Sequence, residues 1–177
     1  MTKKILYFAY GVNVDCEGMA IRCPSAKPLG KATLKGYILR FRGGLANAER
    51  VLGDSQKAAV IGVLWRISEG NLKVLDKFEG YPELYDRCEV EVITDGGATV
   101  RATMYYMKQF YKMSPPRDWV SSAICRGYND FGIDIGQFQR AVREAEIVSS
   151  WEGNKLKHSI SIKKKGGLPT NGNKSRS

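Results

Sequence analysis

The order of strand-like and helix-like patterns constrains the fold of this chain more than any other feature. Short runs with alternating or continuous apolar residues, the pattern of β-strands, occupy most of the first 107 residues, and one clear helical pattern interrupts them. Two further amphipathic segments follow. A doubly wound parallel sheet is disfavoured, because strands and helices do not alternate regularly. The order instead favours an α+β fold with a mixed, barrel-like sheet.

Apolar periodicity and glycine-rich breaks predict where the individual elements lie. Strands are predicted over residues 5–10, 32–41 with a bend at Gly36, 58–67, 85–94 and 100–107, while residues 46–51 are ambiguous. Helices are predicted from Ser68 to Gly80, from the Ser-Pro-Pro signal at 114–116 to about Gly127, and over 135–147. The strongly apolar segment 58–67 is the predicted central strand.

The charge divides the chain into two regions. Residues 150–177 carry seven basic residues against the single acid Glu152, so the tail holds +6 of the net charge of +10 and residues 1–149 hold +4. The tail ends in a run rich in glycine, asparagine and serine, as disordered segments are. We therefore expect one domain over 1–149 and a basic, flexible C-terminal tail over 150–177. The tail is either a solubilising end or a weak contact for nucleic acid or another polyanion.

Histidine and cysteine content excludes several classes of site. The only histidine, His158, lies in the tail, so the main domain holds no Ser-His-Asp or Cys-His pair and no histidine-based metal site. The four cysteines form no C-x-x-C pair and are too sparse for a disulfide scaffold. We expect reduced thiols in a cytoplasmic protein without metal or cofactor. No stretch approaches the roughly 20 apolar residues of a membrane span, and the N-terminus lacks the pattern of a signal peptide.

The first predicted strand ends in a turn that has the character of an anion-binding site. The stretch 7–13 reads Tyr-Phe-Ala-Tyr-Gly-Val-Asn, so an apolar strand breaks at Gly11 and Asn13, which tolerate unusual backbone angles. A glycine at this point lets the backbone turn sharply and direct N–H groups at a bound oxygen. The alternative is a plain buried turn.

Glu79 lies among aromatic residues at the end of a predicted helix. The predicted helix stops at Gly80 and Pro82, which places Glu79 in its final turn. Three aromatic residues close in sequence, Phe78, Tyr81 and Tyr85, are able to desolvate the carboxyl group and raise its pKa. The alternative is a solvated glutamate on a helix surface, as most helical glutamates are.

These motifs, in this order, resemble the gamma-glutamylcyclotransferase-like family over roughly residues 4–146. The family opens with Tyr-Gly-Ser-Asn-Leu and carries its catalytic glutamate in Leu-Asp-x-x-Glu-Gly, which here is residues 75–80. Further matches are Gly36-Tyr37, the Gly-Val-Leu-Trp run at 62–65, and the helix entry at 114–116. The resemblance implies a small mixed β-barrel with packed helices. It also implies release of 5-oxoproline from a small gamma-glutamyl substrate, with Glu79 as general base and acid.

The resemblance also implies a set of substrate-binding residues. The turn formed by Tyr10, Gly11, Val12 and Asn13 would hold the glutamyl carboxylate or a developing oxyanion through its backbone N–H groups. Val12 replaces the serine of the family motif, so a hydroxyl contact is lost and the backbone donor remains. Tyr85 matches a tyrosine near the family glutamate and would orient the carboxyl group by a hydrogen bond.

Two functional hypotheses follow. The first is an enzyme that releases an amino acid, a cysteinyl-glycine or an amine from a gamma-glutamyl compound. The second is a non-catalytic module that keeps the fold and binds a partner or nucleic acid through its basic tail. Val12 and the tail favour the second hypothesis, whereas Glu79 followed by Gly80 favours the first.

Overall fold

The structure is a computed structural model. It describes residues 4–52, 57–108 and 111–165, without the side chains of Asn154 and residues 156–165. The elements in chain order are β1 (Lys4–Ala9), a 3₁₀ turn (Val12–Val14), α1 (Cys16–Arg22), β2 (Lys27–Lys35), β3 (Tyr37–Arg42), β4 (Leu45–Arg50), β5 (Ala59–Ser68), α2 (Glu69–Glu79), β6 (Tyr85–Thr94), β7 (Thr99–Met107), α3 (Asp118–Phe131) and α4 (Gly136–Lys165).

Five of the strands close into a barrel in the order β1-β5-β2-β6-β7. Strand β1 pairs antiparallel with β5 and parallel with β7, and the other neighbours in the barrel are antiparallel. Strands β3 and β4 form a separate hairpin. The parallel pair makes the sheet mixed, and the predicted α+β fold with a small mixed barrel and packed helices is confirmed.

The central strand β5 depends on a close approach to β1. Gly62 pairs with Ala32 on β2, and a β-carbon at this glycine would lie 2.1 Å from the carbonyl oxygen of Ala9 and 2.8 Å from the Phe8 ring. Any side chain here would push β5 away from β1. The glycine therefore fixes the position of the end of β1, from which the chain enters the turn at Gly11.

Helix α2 begins and ends where the sequence predicts. Ser68 and Asn71 form a reciprocal capping box at its start, and Gly80 adopts a left-handed conformation (φ 65°) at its end. Leu75 packs fully buried against the core. The last helical residue is Glu79, so the cap determines where the candidate catalytic carboxylate leaves the helix.

Helix α4 is longer than the pattern predicts. The amphipathic stretch ends near Ile147, but the helix continues to Lys165. Ala141 and Ala145 are buried, and the ring of Phe138 meets that of Phe41 edge-on at 5.6 Å. Beyond this packed part the chain contains good helix formers such as lysine and leucine, which favour a continued helical backbone. Residues 166–177 lie outside the described residues, and the division into a domain over 1–149 and a flexible tail over 150–177 stays a prediction.

No helix in the described part of the chain is both long and apolar enough to cross a membrane.

Removing residues 153–177 is expected to leave the melting temperature within a few degrees of that of the full chain, a change of roughly 1 kcal/mol or less. The described side chains at the start of this segment are exposed, and Lys155 lies over Trp151 of the same helix, 3.8 Å from the ring centroid. Differential scanning fluorimetry checks the stability. The truncated protein should be retained less on heparin, because it lacks the basic residues of the tail. A full-length variant with Lys163, Lys164 and Lys165 changed to glutamine should reproduce much of that loss. A large drop in melting temperature would show that the tail belongs to the folded domain.

Candidate active site

A cavity of about 200 Å³ lies where β1, the 3₁₀ turn, the end of α2 and the start of α3 meet. All six residues predicted for the site line it, namely Tyr10, Gly11, Val12, Asn13, Glu79 and Tyr85. Further lining residues that the sequence did not single out for the site are Tyr7, Leu45, Ala46, Leu84, Tyr105, Arg117 and Val120. Residues as far apart in sequence as Tyr7 and Val120 are thus brought to one cavity by the closure of the barrel and the packing of the helices on it.

The 3₁₀ turn is held in place from both sides. Val14 N–H donates to the Gly11 carbonyl oxygen at 3.1 Å, which closes the turn. The buried carboxylate of Asp15 caps α1 through the N–H of Gly18 at 3.1 Å and binds the guanidinium of Arg126 on α3 at 2.8 Å. The first N–H groups of a helical turn have no acceptor within the turn. Val12 and Asn13 begin this turn, so their N–H groups are potential hydrogen-bond donors to a ligand in the cavity.

Gly11 does not require a left-handed backbone. Its φ is −101° and its ψ is −142°, so the unusual angles expected at this glycine are not those of the left-handed region. A β-carbon at Gly11 would lie 3.2 Å from the β-carbon of Ala46 on β4. The glycine therefore serves a close approach between the turn and the β3–β4 hairpin.

Asn13 connects the turn to the carboxyl group of Glu79. Its side-chain nitrogen donates to Glu79 Oε1 at 2.7 Å and to the hydroxyl of Tyr7 at 3.0 Å, which uses both of its hydrogens. Asn13 is 2% exposed, and its Oδ1 has no hydrogen-bond partner among the described residues. The amide expected to contact substrate thus holds the carboxyl group of Glu79 in the structure.

The environment of Glu79 favours a neutral carboxyl group. Burial raises the pKa of Glu79 from its ordinary 4.5 to about 7, although the charge of Arg22 and the hydrogen bond from Asn13 both act in the opposite direction. Phe78 lines the cavity as expected, whereas Tyr81 lies outside it against the guanidinium of Arg87 at 4.6 Å. At neutral pH the group is divided between its two protonation states.

Arg22 is the electrostatic neighbour that sequence reasoning missed. It is the last residue of α1, and its guanidinium carbon lies 4.2 Å from the centre of the Phe78 ring. Phe78 directly precedes Glu79, so the cation stands next to the end of α2. The packing of α1 against α2 creates this pair, and no local pattern in the sequence indicates it.

Tyr85 and Tyr10 shape the cavity by binding backbone oxygens. The hydroxyl of Tyr85 donates to the Ala46 carbonyl oxygen at 2.6 Å, and that of Tyr10 donates to the Tyr105 carbonyl oxygen at 2.8 Å. The hydrogen bond predicted from Tyr85 to the carboxyl group of Glu79 is therefore absent. Tyr85 instead fixes the β3–β4 hairpin against β6, and its ring forms part of the cavity wall.

Asp76 and Tyr105 form a second polar pair next to the cavity. The hydroxyl of Tyr105 donates to Asp76 Oδ1 at 2.7 Å, and the Arg87 guanidinium binds both oxygens of the same carboxylate at 2.9 Å. Arg87 and Arg42, considered from the sequence as partners for a substrate carboxylate, both have protein partners, since Arg42 binds Glu49. Neither arginine lines the cavity.

Comparison with known proteins agrees with this architecture. The family model described as gamma-glutamyl cyclotransferase, AIG2-like, matches residues 7–122. The gamma-glutamylcyclotransferase of Bos taurus is 31% identical over 180 residues, which cover 95% of this chain and 92% of that protein. The gamma-glutamylcyclotransferase of Homo sapiens is 31% identical over 156 residues, covering 81% of this chain and 80% of that protein.

A solved structure of a gamma-glutamyl cyclotransferase superposes with a TM-score of 0.69 at 28% identity, over 78% of this chain and 86% of that one. The family match spans both motifs of the cavity, the turn at 10–13 and the helix end at Glu79. Sequence and fold thus agree, and this chain belongs to the gamma-glutamyl cyclotransferase, AIG2-like family.

Proposed function

We propose that this protein converts a gamma-glutamyl compound into 5-oxoproline and a free amine or amino acid, with Glu79 as the general base and then the general acid. The observation that carries the proposal is the position of Glu79. It is the single carboxylate among the described residues that line the cavity, and burial brings its pKa to about 7.

The reaction needs a group that both takes and gives a proton. The α-amine of the substrate is protonated at neutral pH and must lose a proton before it attacks the γ-carbonyl carbon of the same molecule. A new C–N bond then closes the five-membered ring, and the ring nitrogen gives up a second proton. The old amide C–N bond breaks, and the leaving nitrogen takes up both protons and departs as an ammonium group. A carboxyl group with a pKa near the working pH is suited to both transfers, and Glu79 has this property.

The rest of the cavity has to hold an extended substrate in a folded shape, because an intramolecular attack gains its speed from proximity. We expect the N–H groups of Val12 and Asn13, which line the cavity, to bind the glutamyl carboxylate or the oxyanion that forms at the γ-carbon. Gly11 lets this turn approach the β3–β4 hairpin. Tyr10 and Tyr85 form walls whose hydroxyl groups are already bound to backbone oxygens.

The activity is expected to depend on the ionisation of Glu79. Because the base form is required, kcat/KM should rise with pH and level off above an apparent pKa near 7. Replacing Arg22 with glutamine removes a cation that favours the carboxylate, so the rising limb of the pH–rate profile should move to higher pH. Arg101→Gln removes the same charge from an exposed position on β7 and should not move it. A rise in kcat/KM with an apparent pKa near 4.5 in the wild type would contradict the proposed environment of Glu79.

The direct test is a screen of gamma-glutamyl amino acids, gamma-glutamyl amines and glutathione for 5-oxoproline release, with Glu79→Gln as the matched inactive variant. Release from at least one substrate by the wild type alone supports the proposal. Failure with every substrate would favour the alternative, a non-catalytic module that binds a partner or nucleic acid through its tail. That alternative rests on Val12 and the tail charge and has no support from the relatives. A cytoplasmic location remains a prediction.

A further inference from the structure

The cavity has a buried end and an open end. Tyr7, Tyr10 and Asn13 are 3%, 5% and 2% exposed and form the buried end, where Asn13 holds Glu79. Phe78 and Trp119 are 41% and 50% exposed and lie at the open end together with Arg117. In the proposed reaction the glutamyl part must reach Glu79. The leaving group therefore extends toward the open end.

Arg117 is the single cationic side chain among the described residues that line this cavity. It precedes α3, and its N–H donates to the carbonyl oxygen of Gly44 in the turn between β3 and β4 at 3.1 Å. The side chain of Arg117 packs over Gly44. A β-carbon at Gly44 would lie 2.9 Å from Arg117 Cγ and 3.3 Å from Arg117 Nε. The stem of Arg117 is thus packed on the hairpin turn while the residue as a whole remains exposed.

Among the described residues, the guanidinium of Arg117 has no acidic partner, unlike those of Arg87 and Arg126. Arg87 binds Asp76 and Arg126 binds Asp15. Among the described residues, no carboxylate lies within ion-pair distance of Arg117, and its side chain makes no hydrogen bond. Arg117 lines the mouth of the cavity together with Trp119. An arginine in such a place, with no acidic partner among the described residues, is available to a carboxylate of the ligand.

We propose that Arg117 is a specificity-determining residue of this site and selects a leaving group that carries a carboxylate. The inference rests on the proposed cyclisation. A leaving amino acid or short peptide would place its carboxylate on the guanidinium and its apolar part on Trp119. A neutral amine would leave the arginine unpaired, and an amine with a second cationic group would be repelled. Arg117 acts on binding of the leaving group and takes no part in the proton transfers.

The roles of Arg117 and Glu79 are separable. The groups that set the ionisation of Glu79, apart from burial itself, are Arg22 and Asn13. Removing the charge of Arg117 should therefore leave the pH dependence of turnover unchanged. A loss of discrimination without a shift in the pH profile distinguishes a contact to the leaving group from a general disturbance of the site.

The experiment compares kcat/KM for gamma-glutamyl-alanine and for its alaninamide analogue, which differ only in the terminal carboxylate. The wild type should prefer the acid by roughly 10- to 100-fold, the range of a hydrogen-bonded charge pair. Arg117→Gln should remove this preference through a higher KM for the acid, with the amide unchanged. Arg117→Lys should keep part of the preference, and Arg101→Gln should keep all of it. Equal rates for acid and amide in the wild type, or an unchanged preference in Arg117→Gln, would overturn the inference.

A second pair, glutathione and its C-terminal amide, separates the two sources of the carboxylate. If only gamma-glutamyl-alanine is preferred over its amide, Arg117 binds the carboxylate of a single amino acid. If only glutathione is preferred over its amide, Arg117 binds the carboxylate of a dipeptide. Binding of each acid and amide to Glu79→Gln, measured by calorimetry with and without Arg117→Gln, tests the subsite when no turnover occurs. Tighter binding of an acid that depends on Arg117 supports the subsite even if the cyclisation fails, and equal binding of acid and amide overturns it.

Discussion

Glu79→Gln is expected to lower the rate of 5-oxoproline formation by roughly 10²- to 10⁴-fold, the usual cost of losing a positioned general base. Glutamine keeps the size of the side chain and can still accept the hydrogen bond from Asn13, which is 2.7 Å long in the structure. It cannot take a proton from the substrate amine. A coupled assay for 5-oxoproline, read together with the affinity for the intact substrate, measures the loss of turnover separately from binding.

The matched control is Glu83→Gln, which removes the same charge four residues later. Glu83 is exposed in the turn after α2 and does not line the cavity, so its loss should leave turnover near the wild-type rate. If Glu79→Gln retained near-normal turnover in the same assay, Glu79 would have no place in the mechanism.

Although Glu79→Gln should lower the rate, it should raise the stability of the fold at alkaline pH. The pKa of Glu79 is about 7 in the folded protein and near 4.5 when the chain is unfolded, so its stabilising contribution is complete below about pH 4.5 and is lost as the pH rises through 7. This difference corresponds to about 3 kcal/mol at alkaline pH. Glutamine carries no charge to desolvate, so Glu79→Gln should unfold at a higher temperature than the wild type at pH 8. The advantage should disappear near pH 4.

Local patterns were sufficient where an element depends on its own residues. The capping box of Ser68 and Asn71 and the left-handed Gly80 fixed both ends of α2, and with them the position of Glu79. Strand β6, Tyr85–Thr94, has the predicted bounds because its alternation runs uninterrupted to the turn. Two local motifs in the right order thus placed six residues that do line one cavity.

Local sequence patterns do not predict contacts between elements that are distant in the sequence. The hydroxyl of Tyr85 binds Ala46 instead of Glu79, because the β3–β4 hairpin packs on the barrel at that point. Arg22 reaches the end of α2 through helix packing, and Tyr105 reaches Asp76 through the closure of the barrel. Each of these outcomes is determined by tertiary geometry.

Gly127→Ala is expected to reduce activity by roughly 100-fold, the effect of a displacement of about 1 Å in a catalytic group. Gly127 lies on the face of α3 that packs on the 3₁₀ turn, where a β-carbon would lie 2.5 Å from Val14 Cγ2 and 2.6 Å from both the carbonyl carbon and the carbonyl oxygen of Val14. The turn would have to move, and Asn13 would move with it relative to Glu79. Steady-state kinetics and thermal unfolding of the variant measure the two consequences, and the overpacking should cost about 1–3 kcal/mol.

Gly70→Ala is the matched control, since it adds the same methyl group to an exposed helical glycine whose nearest neighbour would be Ser68 Oγ at 3.6 Å. Alanine favours the helix by up to about 1 kcal/mol over glycine, so this variant should be as stable as the wild type or more so, with normal turnover. Val14→Ala should not rescue Gly127→Ala, because two of the three close contacts are to the backbone of Val14. Normal turnover in Gly127→Ala, or full rescue by Val14→Ala, would mean that the turn adjusts without moving Asn13, and that α3 does not position the carboxyl group of Glu79.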